Sequence, residues 1–235
     1  MIMVQLFDVV ILLAGESEQR FRSKETYDIL KSGRAGVVLV TGGFWGLDDY
    51  CLYLTDGKIS VENLKNHDAA AKTHYVNEKN LFLDDRSHET IGSLVYPLAK
   101  PHVDLDLEKD LTFLKDAREI AIVTNTAHMI SAHPLTMKTF PEYATIYPIC
   151  SPGPTKETRS EKVYNTALFQ RLAKIPDHEP ELLLKFLLEE HLFYSDGWFD
   201  KSVFRRQFEL GRLCIKWGGP RILIAGTQEY KLFGK

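Results

Sequence analysis

Asp8-Val-Val-Ile-Leu-Leu-Ala14 runs straight into Gly15-Glu16-Ser17, and the same change from apolar to small or polar residues returns three more times. Val37-Val-Leu-Val40 stops at Thr41-Gly42-Gly43, Leu81-Phe-Leu83 at Asp84-Asp85, and Ile120-Ala-Ile-Val123 at Thr124-Asn125. A helix-like segment follows close behind each stop. Short, nearly continuous apolar runs of this kind are what a parallel sheet covered on both faces requires, so the chain reads as an α/β protein. Ligands of such sheets bind outside the carboxyl ends of the strands, and the four stops are therefore expected to converge on one crevice.

The rest of the chain fits between these strands. Ser17 to Leu30 reads as a helix, with Gly33 as its stop, and Ser60 to Asn77 as another. Ser87 to Leu98 follows, with Ser87 placed to cap it and Pro97 and Pro101 limiting its length. Asp106 to Asp116 and Thr126 to Thr139 read as further helices, the latter with a kink or break at Pro134. Phe44 to Gly57, aromatic and acidic, reads as an excursion over the strand ends that closes in a turn at Asp56-Gly57. Ala144 to Ile149 is a fifth strand, and Pro148 places it at an edge or ends it early.

Texture changes at Ser151-Pro-Gly-Pro154. Residues 1–150 read as the α/β core and residues 151–235 as a mainly helical extension packed on it, not an independent domain. Its helices are expected at Glu161 to Ala173, Glu179 to Leu192 and Lys201 to Lys216, with a last strand at Arg221 to Ala225. That strand is too apolar to stand alone in water.

A net charge of −3 over 235 residues, with 26% charged side chains and no basic stripe, argues against nucleic acid as a partner. No stretch is long and apolar enough to span a membrane, and the amino terminus lacks a positively charged region before its apolar residues, so a cytoplasmic protein without a membrane partner is the expectation. Cys51, Cys150 and Cys214 are widely spaced and read as reduced packing residues. The spaced glycines of a dinucleotide fingerprint and the Gly-Lys-Ser/Thr of a P-loop are both missing.

The chemistry is expected at the strand ends. Gly15 with Glu16 opens a helix whose free amides favour an anion, although a strand-to-helix turn needs a glycine for its own sake. Arg20 and Arg22, a turn into that helix, are long enough to reach such an anion, or else belong to a solvated face. Gly42 and Gly43 after Thr41 let a ligand approach the backbone. Asp84, Asp85, Ser87, Glu89 and Thr90 crowd oxygens at one junction, more than capping uses. Asp84 and Glu89 are candidates to position a hydroxyl, a water or a metal, and Ser87 and Thr90 to bind ligand. A divalent metal is an alternative here, although carboxylates adjacent in sequence usually diverge in space, and no metal ligand is assigned. Thr124 and Asn125, where the fourth strand stops, are candidates to bind ligand, and His128, four residues past Thr124, faces the same crevice and is the candidate acid or base.

In this order, Gly15, Arg20, Thr41-Gly42-Gly43, Asp84 with Ser87 and Thr90, and Val123-Thr124 with His128-Met129 resemble the domain of unknown function 218 family, the YdcF-, SanA- and ElyC-like proteins, over about residues 8–150. The resemblance implies a Rossmann-like three-layer α/β/α fold with a mostly parallel sheet and a polar cleft. It also implies S-adenosylmethionine as a candidate ligand, because YdcF is associated with binding it, while membrane-attached members are associated with envelope biogenesis. The chain departs from the family pattern at Glu89 (usually Asn), at Gly92-Ser93 (usually Glu-Asn) and at Ser131 (usually Arg). Arg86 or Arg159 is available to replace that arginine. Sequence thus leads to a small anionic or nucleotide-like ligand, and to hydrolysis or group transfer. Its alternatives are a non-catalytic metabolite sensor, in which Phe44 to Tyr53 stacks on the ligand, and an interaction protein.

Overall fold

The computed structural model describes residues 5–15, 19–42, 56–84, 87, 90–99, 112–157 and 159–191. Five parallel strands, β1 (Val9–Leu13), β2 (Val38–Thr41), β3 (Leu81–Asp84), β4 (Glu119–Asn125) and β5 (Thr145–Ser151), lie in the order β3-β2-β1-β4-β5. Between them run α1 (Gln19–Lys31), α2 (Asp56–Ala70), α3 (Thr90–Ala99), a single 3-10 turn (Thr112–Lys115) and α4 (Thr126–Thr139). The helices α5 (Arg159–Leu172) and α6 (Pro180–Glu190) follow β5.

Alternation along the strands sorts the core into two layers. Val9, Ile11 and Leu13 of β1, with Leu39, Ile120 and Ile122, pack against Ile91, Leu94 and Val95 of α3 and against Met129, Ala132 and Leu135 of α4. Leu168 and Leu172 of α5 and Leu183, Phe186 and Leu187 of α6 join this same layer. Val10 and Leu12, with Val38, Val40, Ala121 and Val123, face Tyr27, Ile29 and Leu30 of α1 and Leu64 of α2. All five side chains of β1 are buried, each worth about 1.5–3 kcal/mol. The result is a Rossmann-like three-layer α/β/α fold whose first strand is its centre.

Pro148 sits on β5, at the edge of the described sheet, where a missing N–H costs no ladder hydrogen bond. Several expected elements differ. Asp56-Gly57 is the start of α2 and not a turn, and α2 ends at Ala70, short of Asn77. The Ser87 hydroxyl donates to the Asp84 carboxylate. Pro134 neither breaks nor ends α4, which runs through it. Cys150 is exposed on β5 and is no packing residue. Within Asp106 to Asp116 only the 3-10 turn is described. Most of the Phe44 to Gly57 excursion, the helix from Lys201, the strand at Arg221, Cys51 and Cys214 lie outside the described residues.

Asp68 explains why α2 stops early. Its carboxylate accepts from the Thr73 hydroxyl at 2.6 Å and from the backbone N–H groups of Tyr75 at 3.0 Å and Val76 at 3.3 Å, so the side chain folds the chain back towards β3. Lys72, at φ 55°, takes up the reversal. Because Asp68 is buried, Asp68→Ala leaves these donors unmatched and should lower the unfolding free energy by about 2–3 kcal/mol. Asp68→Asn, which keeps one acceptor, should lose less. Equal chemical-denaturation midpoints for Asp68→Ala and wild type would refute this account of the loop.

Candidate functional site

The strand order reverses between β1, which continues to β2 and β3, and β4, which lies on the other flank of β1. Such a switch point opens a crevice at the carboxyl ends of the two strands. Ala14 and Gly15 leave β1 there, and Thr124 and Asn125 end β4. Thr41, Asp84 and Thr124 stand two residues beyond Leu39, Phe82 and Ile122, so all three face the α3 and α4 layer. All three are fully buried.

Asn125 begins α4 from an extended conformation, and its Oδ1 accepts from the His128 N–H at 2.8 Å. The Ala127 N–H donates to the Pro154 carbonyl at 2.9 Å. Two amides of the first turn are thus spent within the protein, and the imidazole carries the chemistry of this helix start. Nδ1 of His128 lies 3.0 Å from the Thr124 hydroxyl, and Nε2 is hydrogen-bonded to the hydroxyl of Thr90, the first residue of α3. Thr124 is fully buried, whereas His128 and Thr90 are only partly so. The relay therefore leads from the interior outward to Thr90. Burial, and secondarily the positive charge of Arg22, push the His128 pKa from 6.5 down to about 3. The ring is neutral at physiological pH, with one nitrogen donating and the other accepting, and threonine hydroxyls can satisfy either arrangement.

Arg22 is the cation of the switch point. It is 5% exposed, and its Nη1 donates to the carbonyl of Leu13, the last residue of β1, at 2.8 Å. A Cβ on Gly15 would come within 2.5 Å of that Nη1, so Gly15 leaves the room in which the guanidinium lies. Arg20 is exposed, with its guanidinium 4.7 Å from the centroid of the Phe21 ring. The helical period separates the two arginines. Arg20 shares its face with Lys24, Asp28 and Lys31, all exposed, and Arg22 shares its face with Thr26 and Ile29, both buried. That phase was available in the sequence.

Towards β3 the site is closely built. The Gly42 N–H donates to the Asp84 carbonyl at 2.9 Å, and the Gly42 carbonyl accepts from the Gly57 N–H at 2.9 Å. The buried Thr41 hydroxyl has no hydrogen-bond partner among the described residues. Ser131, where the resemblance calls for arginine, donates to the carbonyl of His128 at 3.0 Å. The structure thus brings Gly15, Thr90, Thr124, Asn125 and His128 together around the switch point. Thr41, Gly42, Asp84 and Ser87 lie at the adjoining ends of β2 and β3. Glu16, Gly43, Asp85, Arg86 and Glu89 lie outside the described residues, as does the aromatic segment to Tyr53. Among the described residues no cluster of three His, Cys, Asp or Glu side chains could hold a metal ion, and no helix is long and apolar enough to cross a membrane. Set against protein-family models, characterised proteins and solved structures, the chain matches none of them.

Proposed function

We propose that this is a YdcF-like α/β protein that binds a small anionic or nucleotide-like ligand at the β1–β4 switch point and acts on it by hydrolysis or group transfer. The observation that carries the reading is the position of Arg22. A buried guanidinium lies at the end of β1, close enough for its charge to act on His128. Guanidinium groups bind phosphates and carboxylates through paired N–H donors, and His128 and Thr90 add hydrogen-bonding groups that a ligand can exchange with. S-adenosylmethionine, with its carboxylate and adenosine, is a candidate, as are nucleotides and phosphorylated sugars. A metabolite sensor is the second reading, favoured by an imidazole that is neutral and engaged through both nitrogens in the resting protein.

Titrating inorganic phosphate, ATP, ribose 5-phosphate and S-adenosylmethionine while following thermal unfolding tests the proposal. At least one should raise the melting temperature progressively, because a ligand of the folded state stabilises it in proportion to the logarithm of its concentration over Kd. Arg22→Lys should weaken that ligand by about 1.5–3 kcal/mol, as for a lost hydrogen bond to a charged group. Four flat titrations, or an affinity indifferent to Arg22→Lys, would refute it.

A further inference from the structure

We propose that Thr90 is the nucleophile of a phosphoryl-transfer reaction, with His128 as its proton acceptor and Thr124 as the group that orients the imidazole. The inference rests on the anion-binding reading above and deepens it by naming the reaction and the residue that carries it. Its basis is the order of the relay: a fully buried hydroxyl on Nδ1, the ring, and a partly exposed hydroxyl on Nε2. A nucleophile must meet solvent-borne substrate and an orienting group need not, so the exposed end is the reacting end. With Nδ1–H donated to Thr124, Nε2 is left to accept the proton of Thr90.

The charge of the site selects the phosphoryl class over the acyl class. The buried Arg22 guanidinium lies at the end of β1, and guanidinium groups suit the oxygens of a phosphoryl group. Phosphoryl transfer passes through a loose transition state in which the nucleophile's proton is needed late. Catalysis there is chiefly positioning and stabilisation of the oxygens around phosphorus. Arg22, whose charge is felt at His128, supplies positive charge for those oxygens, and an anion paired with Arg22 cancels the repulsion it exerts on an imidazolium. In the step itself Oγ1 of Thr90 bonds to phosphorus as the bond from phosphorus to the ester oxygen breaks. The Thr90 proton passes to Nε2 and from there to the leaving oxygen. Water then attacks the phosphothreonine and gives a proton to Nε2; as the bond from phosphorus to Oγ1 breaks, that proton passes to Oγ1, which restores the Thr90 hydroxyl and releases inorganic phosphate.

The full chain is incubated with p-nitrophenyl phosphate, with and without magnesium ions, quenched in acid and analysed by intact and peptide mass. Wild type should carry one phosphoryl group, on Thr90. Thr90→Ser should keep the label, Thr90→Val should lose it, His128→Gln should acquire it at least tenfold more slowly, and Thr126→Val should match wild type. Label elsewhere, label surviving Thr90→Val, or a phosphate-binding wild type that takes up none overturns the nucleophile assignment alone. If neither phosphate nor p-nitrophenyl phosphate shifts the melting temperature and no label forms, this inference falls, and the anion reading is then decided by the four titrations above. Should Thr90→Val not fold, Thr90→Ser decides, since a protein that carries label at position 90 as wild type and loses it in Thr90→Ser, or keeps it at another position, contradicts the assignment.

Discussion

Between about pH 7.5 and about pH 5 the wild-type protein should lose about 2 kcal/mol of unfolding free energy that His128→Gln retains. In the unfolded chain the imidazole titrates near 6.5, and in the folded protein near 3, because burial and then the Arg22 charge disfavour the imidazolium. Across that window the unfolded state binds a proton that the folded state cannot, so stability rises with pH and falls on acidification. The loss begins near pH 6.5 and is complete near pH 3, where it reaches on the order of 4 kcal/mol. The variant differs from wild type in no other ionisable group, so the difference between the two pH profiles isolates His128. Urea unfolding at a series of pH values measures it. Parallel profiles for wild type and variant would show that the ring protonates freely in the folded state. A saturating anion on Arg22 should shrink the difference, which ties the stability profile to the site.

Much of this architecture was legible because parallel strands buried on both faces leave continuous apolar runs that end where the sheet ends. Gly15, Thr41, Asp84 and Thr124 all mark carboxyl ends of strands for that reason. Pro148 gave away the edge strand through its missing donor. Helix starts were less legible. Asp56-Gly57 has the composition of a turn, but Gly57 is required where the start of α2 meets the Gly42 carbonyl just past β2, and a glycine chosen for close approach looks the same in sequence as one chosen for a turn. Ser87 has the composition of a cap, and its composition does not disclose that its hydroxyl donates to Asp84.

The site itself was half legible. His128 stood out because it follows β4 by one helical turn, but nothing local could show that α3 would bring Thr90 to its other nitrogen, a contact 38 residues away in the chain. The choice between Arg20 and Arg22 required the phase of α1, which is fixed by Thr26, Ile29 and Leu30 further along. Asp68 escaped notice because its partners are the hydroxyl and amides of its own loop, a pattern that side-chain identity does not encode.

Gly42→Ala should be among the costliest single-atom additions to this protein, lowering the unfolding free energy by about 2–4 kcal/mol. Gly42 adopts φ +152°, a conformation that side chains rarely take, and a Cβ there would lie 2.6 Å from the Cβ of Ala14 and 3.4 Å from its Cα. Neither atom is the end of a flexible side chain, so relief requires the end of β1 to move away from the end of β2. The hydrogen bond from the Ala14 N–H to the Thr41 carbonyl, 2.8 Å long, opposes that movement. Across the same contact a Cβ on Gly57 would come within 2.8 Å of the Gly42 carbonyl oxygen, so α2 cannot yield either. Gly33 provides the control. It also has positive φ, at +70°, but a Cβ there meets nothing within 4 Å, and Gly33→Ala should cost only the conformational part, about 1–2 kcal/mol. Denaturation midpoints of the two variants separate strain from crowding, and a Gly42→Ala protein as stable as Gly33→Ala would show that the strand ends are not held by this contact. Because the same contact fixes Ala14 next to Gly15, and Gly15 leaves room for Arg22, Gly42→Ala should also weaken whatever anion the site binds, at temperatures where the variant is still folded.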